Sequence, residues 1–201
     1  MAKNLARKLG FLYLDSGALY RTVTWKVIKE KIKTRNAVIK ILPLLKVDIQ
    51  PDEIMRVWLD GEEVTQQIRE PEVTREVWWV CRIKEVRDWV NRFLRNFSRG
   101  RNVVVEGRDM GSVVFPHAEI KIFLTAELSE RARRRWEELQ RKGKKISLRE
   151  VEEELKTRDR RDSERDIAPL TRPPDAILVN NTGWEPEETL NKVLELIRDR
   201  L

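Results

Sequence analysis

Four short apolar runs, FLYLD (residues 11–15), NVVVEG (102–107), IKIFLT (120–125) and AILVN (176–180), recur along a chain whose intervening segments are mostly helical in pattern. Runs this short and this apolar suit parallel strands covered on both faces by helices. Strand and helix alternating at that length predict an open α/β sheet. Ahead of the first run, AKNLARKL puts Leu5 and Leu9 on one helical face, and Gly10 follows where a helix ends. Behind it, Ser16 is expected to cap a helix carrying Leu19, Val23, Val27 and Ile28.

Between the first two runs the pattern changes. NAVIKILPLL predicts a helix ending near Pro43; VDI, VWLDGEEVT and the run to Arg69 predict short strands turning at Asp60-Gly61. Residues 43–94 thus form a β insertion and the helix after it, with 1–42 and 95–201 as the core. One long helix is expected over 71–98, its Trp78, Trp79, Trp89, Phe93 and Phe97 spaced as core residues. Cys81, in VWWVC, reads as a reduced buried thiol, and a single cysteine excludes an internal disulfide. Two charged helices are expected over 129–143 and 148–166, and an amphipathic one from about Glu185.

Charge narrows the partner. Lysine and arginine number 41 against 34 acidic residues, for a net charge of +7. The two signs interleave, as in EVEEELKTRDRRDSERD, where a polynucleotide binder segregates its bases into runs. A small phosphorylated ligand is favoured. No apolar run approaches the roughly 18 residues of a membrane span and no signal peptide opens the chain, so a cytoplasmic location is expected. His117, in FPHAE, has no second ligand or nucleophile nearby and reads as a surface residue.

Open parallel sheets bind ligands at the carboxyl ends of their strands. Two polar clusters fall there: Asp15-Ser16-Gly17 with Arg21, and Glu106-Gly107-Arg108-Asp109. A third, RDRRDSERD, sets Arg158, Asp162 and Arg165 at i, i+4 and i+7, with Arg161 beside them. Guanidinium forks suit phosphoryl transfer, which asks a protein for positioning and charge neutralisation.

LGFLYLDSGALYR, VWLDGEEVTQQIREPEV, VVEGRDMGSVVFPHAEIKIFLTA, SERARRR and RDRRDSERDIAPL, in that order, resemble the bacterial cytidylate kinases over essentially the whole chain. The resemblance implies a nucleoside monophosphate kinase fold with an NMP-binding insertion and a helical lid near 142–167. It implies transfer of the γ-phosphoryl group of ATP to CMP or dCMP with Mg²⁺, by a monomer needing neither nucleic acid nor membrane. Ser16, Arg87 and Asp109 match the cytosine-reading positions. The base offers an amino donor and two acceptors, which a carboxylate, an arginine and a serine satisfy; uracil would mismatch them. Arg21, Arg108 and Arg165 match phosphate-holding arginines, Arg158 and Asp162 lie near the ribose, and Arg158 and Arg161 sit on the lid. Arg158, Arg161 and Arg108 are the implied catalytic cations, and Arg134 is a further candidate beside ATP. Glu106 stands where the family usually has aspartate, near the Mg²⁺ water shell, and Trp78 where it tends to carry a serine touching the ribose.

The phosphate cradle G-x-x-x-x-G-K-[ST] does not occur; the only Gly-Lys pair, Gly143-Lys144, follows no strand. The resemblance sets Met1 just after that loop, so the natural protein is expected to be longer by a strand and the cradle, and this chain to turn over ATP weakly. Two other readings are a kinase preferring UMP and a non-catalytic basic module binding RNA through Arg131–Arg135 and the tryptophans.

Overall fold

Leu5 and Ala6 face inward from the first helix, α1 (Ala2–Leu9), which stops at Gly10, where φ is +68° and a side chain would be strained. The chain then runs through β1 (Leu12–Asp15), α2 (Ser16–Lys29), α3 (Arg35–Ile41), β2 (Val47–Pro51), β3 (Met55–Leu59), β4 (Glu62–Glu63), α4 (Pro71–Val80), α5 (Lys84–Ser98) and β5 (Val103–Glu106). It continues with β6 (Ile122–Thr125), α6 (Leu128–Arg141), α7 (Leu148–Ser163), β7 (Ile177–Asn180) and α8 (Pro186–Ile197). This computed structural model describes residues 1–51 and 54–200, so positions 52 and 53 of the expected insertion lie outside the described residues. The chain folds as two compact units, Ala2–Met110 and Gly111–Leu201.

In the first unit β1 and β5 pair in parallel, Leu12 opposite Val103 and Asp15 opposite Glu106. Parallel pairing brings both carboxyl ends to one edge, so these two carboxylates stand side by side. Beneath lie Leu14, Leu19 and Val23, fully enclosed, each contributing about 1.5–3 kcal/mol of apolar burial. The insertion is the antiparallel sheet β2-β3-β4, its hairpin turning at Asp60 (φ +53°) and Gly61 (φ +90°), as read from sequence. Lys26 and Lys29 of α2 reach across it to Asp60 (2.6 Å) and Glu62 (2.8 Å).

In the second unit β6 and β7 pair in parallel, and α6 and α7 form a helical hairpin joined through Arg131 and Asp159 at 2.6 Å. A reciprocal Ser147–Glu150 cap opens α7. No helix among the described residues is long and apolar enough to cross a membrane.

Several expectations change. The parallel sheet is present as two pairs, one in each unit. Strands expected to be covered on both faces are half-buried, Leu124 and Leu178 being 39% and 48% exposed, since a two-stranded sheet cannot shield both of its faces. Asp15, not Ser16, caps α2, its Oδ1 accepting from Ala18 N–H at 3.1 Å; Ser16 is the first helical residue. The run ending at Arg69 is a 3₁₀ turn (Gln67–Arg69), not a strand. The long helix over 71–98 breaks at 81–83, where Ile83 turns into the core with extended backbone. The inward stripe of α5 is Val86, Val90 and Leu94, and Trp89 and Phe93 stack beside it, half-buried, with ring centroids 5.7 Å apart. Trp78 is 46% exposed, not core, and Cys81 is half-buried with its Sγ donating to the Trp78 carbonyl at 3.3 Å.

Candidate active site

The carboxyl ends of β1 and β5 carry most of the first unit's polar chemistry. Asp15 turns its Oδ1 to the start of α2, and Arg21 leans on its Oδ2 at 3.8 Å. Gly17 permits that approach, since a Cβ there would lie 3.1 Å from Asp15 Oδ1 and 3.4 Å from Arg21 Nη1. Gly107 is tighter: a Cβ would meet Met110 at 2.9 Å and collide with Ser16 Oγ, so only glycine lets the GRD turn pack on the buried serine. Arg108 is exposed on that turn, while Asp109 is turned inward.

Asp109 meets Arg87 there. Nη2 of Arg87 donates to Oδ2 of Asp109 at 2.5 Å, both side chains being 3% exposed. Nη1 donates to the Cys81 carbonyl at 3.2 Å, and the guanidinium lies 5.5 Å from the centroid of the Tyr20 ring. The break between α4 and α5 is what aims that carbonyl at Arg87. Charges buried this deeply are retained at a desolvation cost, repaid only by good geometry. The pair offers an acceptor beside donors, complementary to a ligand edge presenting a donor beside acceptors.

Sequence reading missed two residues of this end. Tyr13 donates its hydroxyl to Glu106 Oε1 at 2.5 Å, and burial first, then that bond, pushes the phenol well above its usual range. Its place two residues before Asp15, on the same face of one strand, was the available signal. Arg69 donates from Nη1 to the Thr65 carbonyl at 2.6 Å and brings Nη2 to 4.0 Å from Asp15 Oδ2. No local pattern announces a contact spanning that much chain.

The second unit holds the remaining residues. Arg158 Nε and Asp162 Oδ2 stand 3.9 Å apart on α7, with Arg158 58% exposed, and Arg161 is exposed beside them. Arg165 does not share their helical stripe: α7 ends at Ser163, and Arg165 donates Nε to the carbonyl of Ala168, a residue with φ +50°. Arg134 donates to Glu130 (2.7 Å), to the Asn181 side chain and carbonyl (3.2 and 2.7 Å) and to the Trp184 carbonyl (2.9 Å), which anchors the turn after β7. His117 is exposed, as expected. Among the described residues no three His, Cys, Asp or Glu side chains gather to hold a metal.

The family model for cytidylate kinases matches residues 1–199. A cytidylate kinase of Caldanaerobacter subterraneus subsp. tengcongensis is 46% identical over 98% of this chain and 88% of its own length. One from Desulfitobacterium hafniense is 40% identical over all of this chain and 88% of its own length. A bifunctional pantoate ligase/cytidylate kinase of Synechococcus is 42% identical over the whole chain, which spans 38% of that relative.

Proposed function

Given that the chain belongs to the cytidylate kinase family, we propose that it binds CMP or dCMP as the acceptor of a phosphoryl group from ATP. The observation carrying this reading is the buried Arg87–Asp109 pair. In the proposal, the cytosine amino group donates to the Asp109 carboxylate, while Arg87 and Ser16 donate to the ring acceptors. Uracil sets an acceptor against Asp109 and a donor against Arg87, and leaving those buried groups mismatched is what discriminates. Arg21, Arg108 and Arg165 take the acceptor phosphate, Arg158 and Asp162 the ribose, and Arg158 and Arg161 belong to a lid that excludes water during transfer.

Mg²⁺ is characteristically held by one or two carboxylates and substrate phosphates rather than by a protein cage. Glu106, exposed at the end of β5 with one oxygen fixed by Tyr13, fits that donor set, and the ion when bound supplies neutralisation of phosphate charge. Arg134 remains the candidate beside ATP.

A thermal-shift series with CMP, dCMP and UMP tests the reading, since only a ligand of the folded state raises the midpoint. The cytosine nucleotides are expected to raise it and UMP to raise it much less. Equal shifts for all three would remove the assignment of Arg87 and Asp109.

A further inference from the structure

We infer that Arg69 is a phosphate-binding residue of the acceptor site, paired with Arg21 across Asp15, and that Asp15 positions both guanidiniums. The inference rests on the acceptor reading above. Arg21 comes from the second turn of α2 and Arg69 from the 3₁₀ turn closing the insertion, yet both approach the same oxygen, Asp15 Oδ2, at 3.8 and 4.0 Å. Those separations are ion pairs, too long for hydrogen bonds. Asp15 therefore orients the two cations without consuming their N–H groups.

Each guanidinium is also partly open to water, Arg21 being 27% and Arg69 37% exposed, which leaves a route for a ligand. Arg69 is the better braced, because Nη1 is fixed on the Thr65 carbonyl at 2.6 Å and Thr65 is itself buried and tied to Val57 N–H at 3.0 Å. With Arg108 projecting from the same strand ends, three guanidiniums stand against the carboxylates of Asp15 and Glu106, so the seat carries one surplus positive charge. A phosphate monoester brings the anionic oxygens that this surplus charge attracts. A neutral nucleoside lacks the group that this seat would grip.

The contrast between CMP and cytidine isolates that contribution. Calorimetric titration of both into the full chain and into Arg69→Ala is expected to show CMP affinity falling about ten- to hundredfold in the variant, the range for losing a charge-assisted bond, with cytidine affinity unchanged. Arg69→Lys, which keeps the charge but not the fork, should fall between. Asp15→Asn, which keeps an oxygen for the Ala18 cap, should lower the CMP-to-cytidine ratio several-fold. If Arg69→Ala weakens CMP and cytidine equally, or neither, Arg69 only supports the fold and the inference is overturned while the acceptor reading stands. If the unaltered chain binds no CMP at all, both fall.

Discussion

Arginine and aspartate meet in two contrasting ways in this molecule. Arg87 and Asp109 touch at 2.5 Å with 3% of either side chain exposed, whereas Arg158 and Asp162 stand 3.9 Å apart with the arginine 58% exposed. The first pair is preformed and locked by the Cys81 carbonyl and the Tyr20 ring; the second is a longer-range ion pair between an exposed arginine and a carboxylate only 20% exposed. A site that must reject one pyrimidine benefits from rigid, desolvated groups, because a mismatch there leaves buried polarity unsatisfied. A lid that closes and reopens benefits from solvated groups that lose little on moving. On the proposed reading, the same residue types would serve selection in one unit and closure in the other.

The largest effect should come from breaking the buried pair. Asp109→Ala leaves Arg87 charged and desolvated, so unfolding free energy should drop by about 3–5 kcal/mol in denaturant titration. The double change Arg87→Leu with Asp109→Leu should recover most of that stability while abolishing any preference for CMP over UMP. If the single variant were as stable as the parent, the pair would not be the rigid element described. The exposed arginine of the second pair should behave oppositely: Arg158→Ala is expected to move stability by no more than about 0.5 kcal/mol while still weakening CMP binding. A stability loss comparable to that of Asp109→Ala would erase the contrast.

What the sequence disclosed follows the range of the forces involved. The Asp60-Gly61 turn was legible because left-handed backbone is set by the residues themselves. The break at 81–83 was not, since no glycine or proline marks it; burial of Ile83 and the reach of Arg87 to Cys81 decide it. Choosing Ser16 over Asp15 as cap failed by one residue, because both types cap well and only the fold turns Ser16 inward. The Arg158–Arg165 stripe assumed a helix that ends at Ser163. Arg87, Asp109 and Ser16 were named through resemblance, but that Arg87 and Asp109 are bonded to each other is a tertiary fact. Tyr13 was signalled only by sharing a strand face with Asp15, while Arg69–Asp15 joins residues far apart in the chain and carries no local signature.

A smaller test concerns the latch on the insertion, an exposed counterpart to the buried pair. The hydrogen bond from Lys26 holds Asp60 below its ordinary value of 3.8, and the same bond raises Lys26 above 10.5. A depressed carboxylate contributes stability that is present above its ordinary value and lost as pH falls through the lower folded one. A raised ammonium contributes stability present below 10.5 and lost as pH rises through the higher folded value. Asp60→Asn should therefore flatten both the acid and the alkaline limb of the melting-temperature profile, modestly, because the pair is exposed. An unchanged profile would mean that the latch contributes nothing.

The central claim is that the buried Arg87–Asp109 pair reads the base, and isothermal titration of CMP and UMP into the parent chain and Asp109→Asn tests it most directly. The account predicts a CMP preference of at least tenfold in the parent that collapses in the variant, about the 1.4 kcal/mol or more that one matched bond to a charged group confers. A preference for CMP that survives the substitution intact would contradict it.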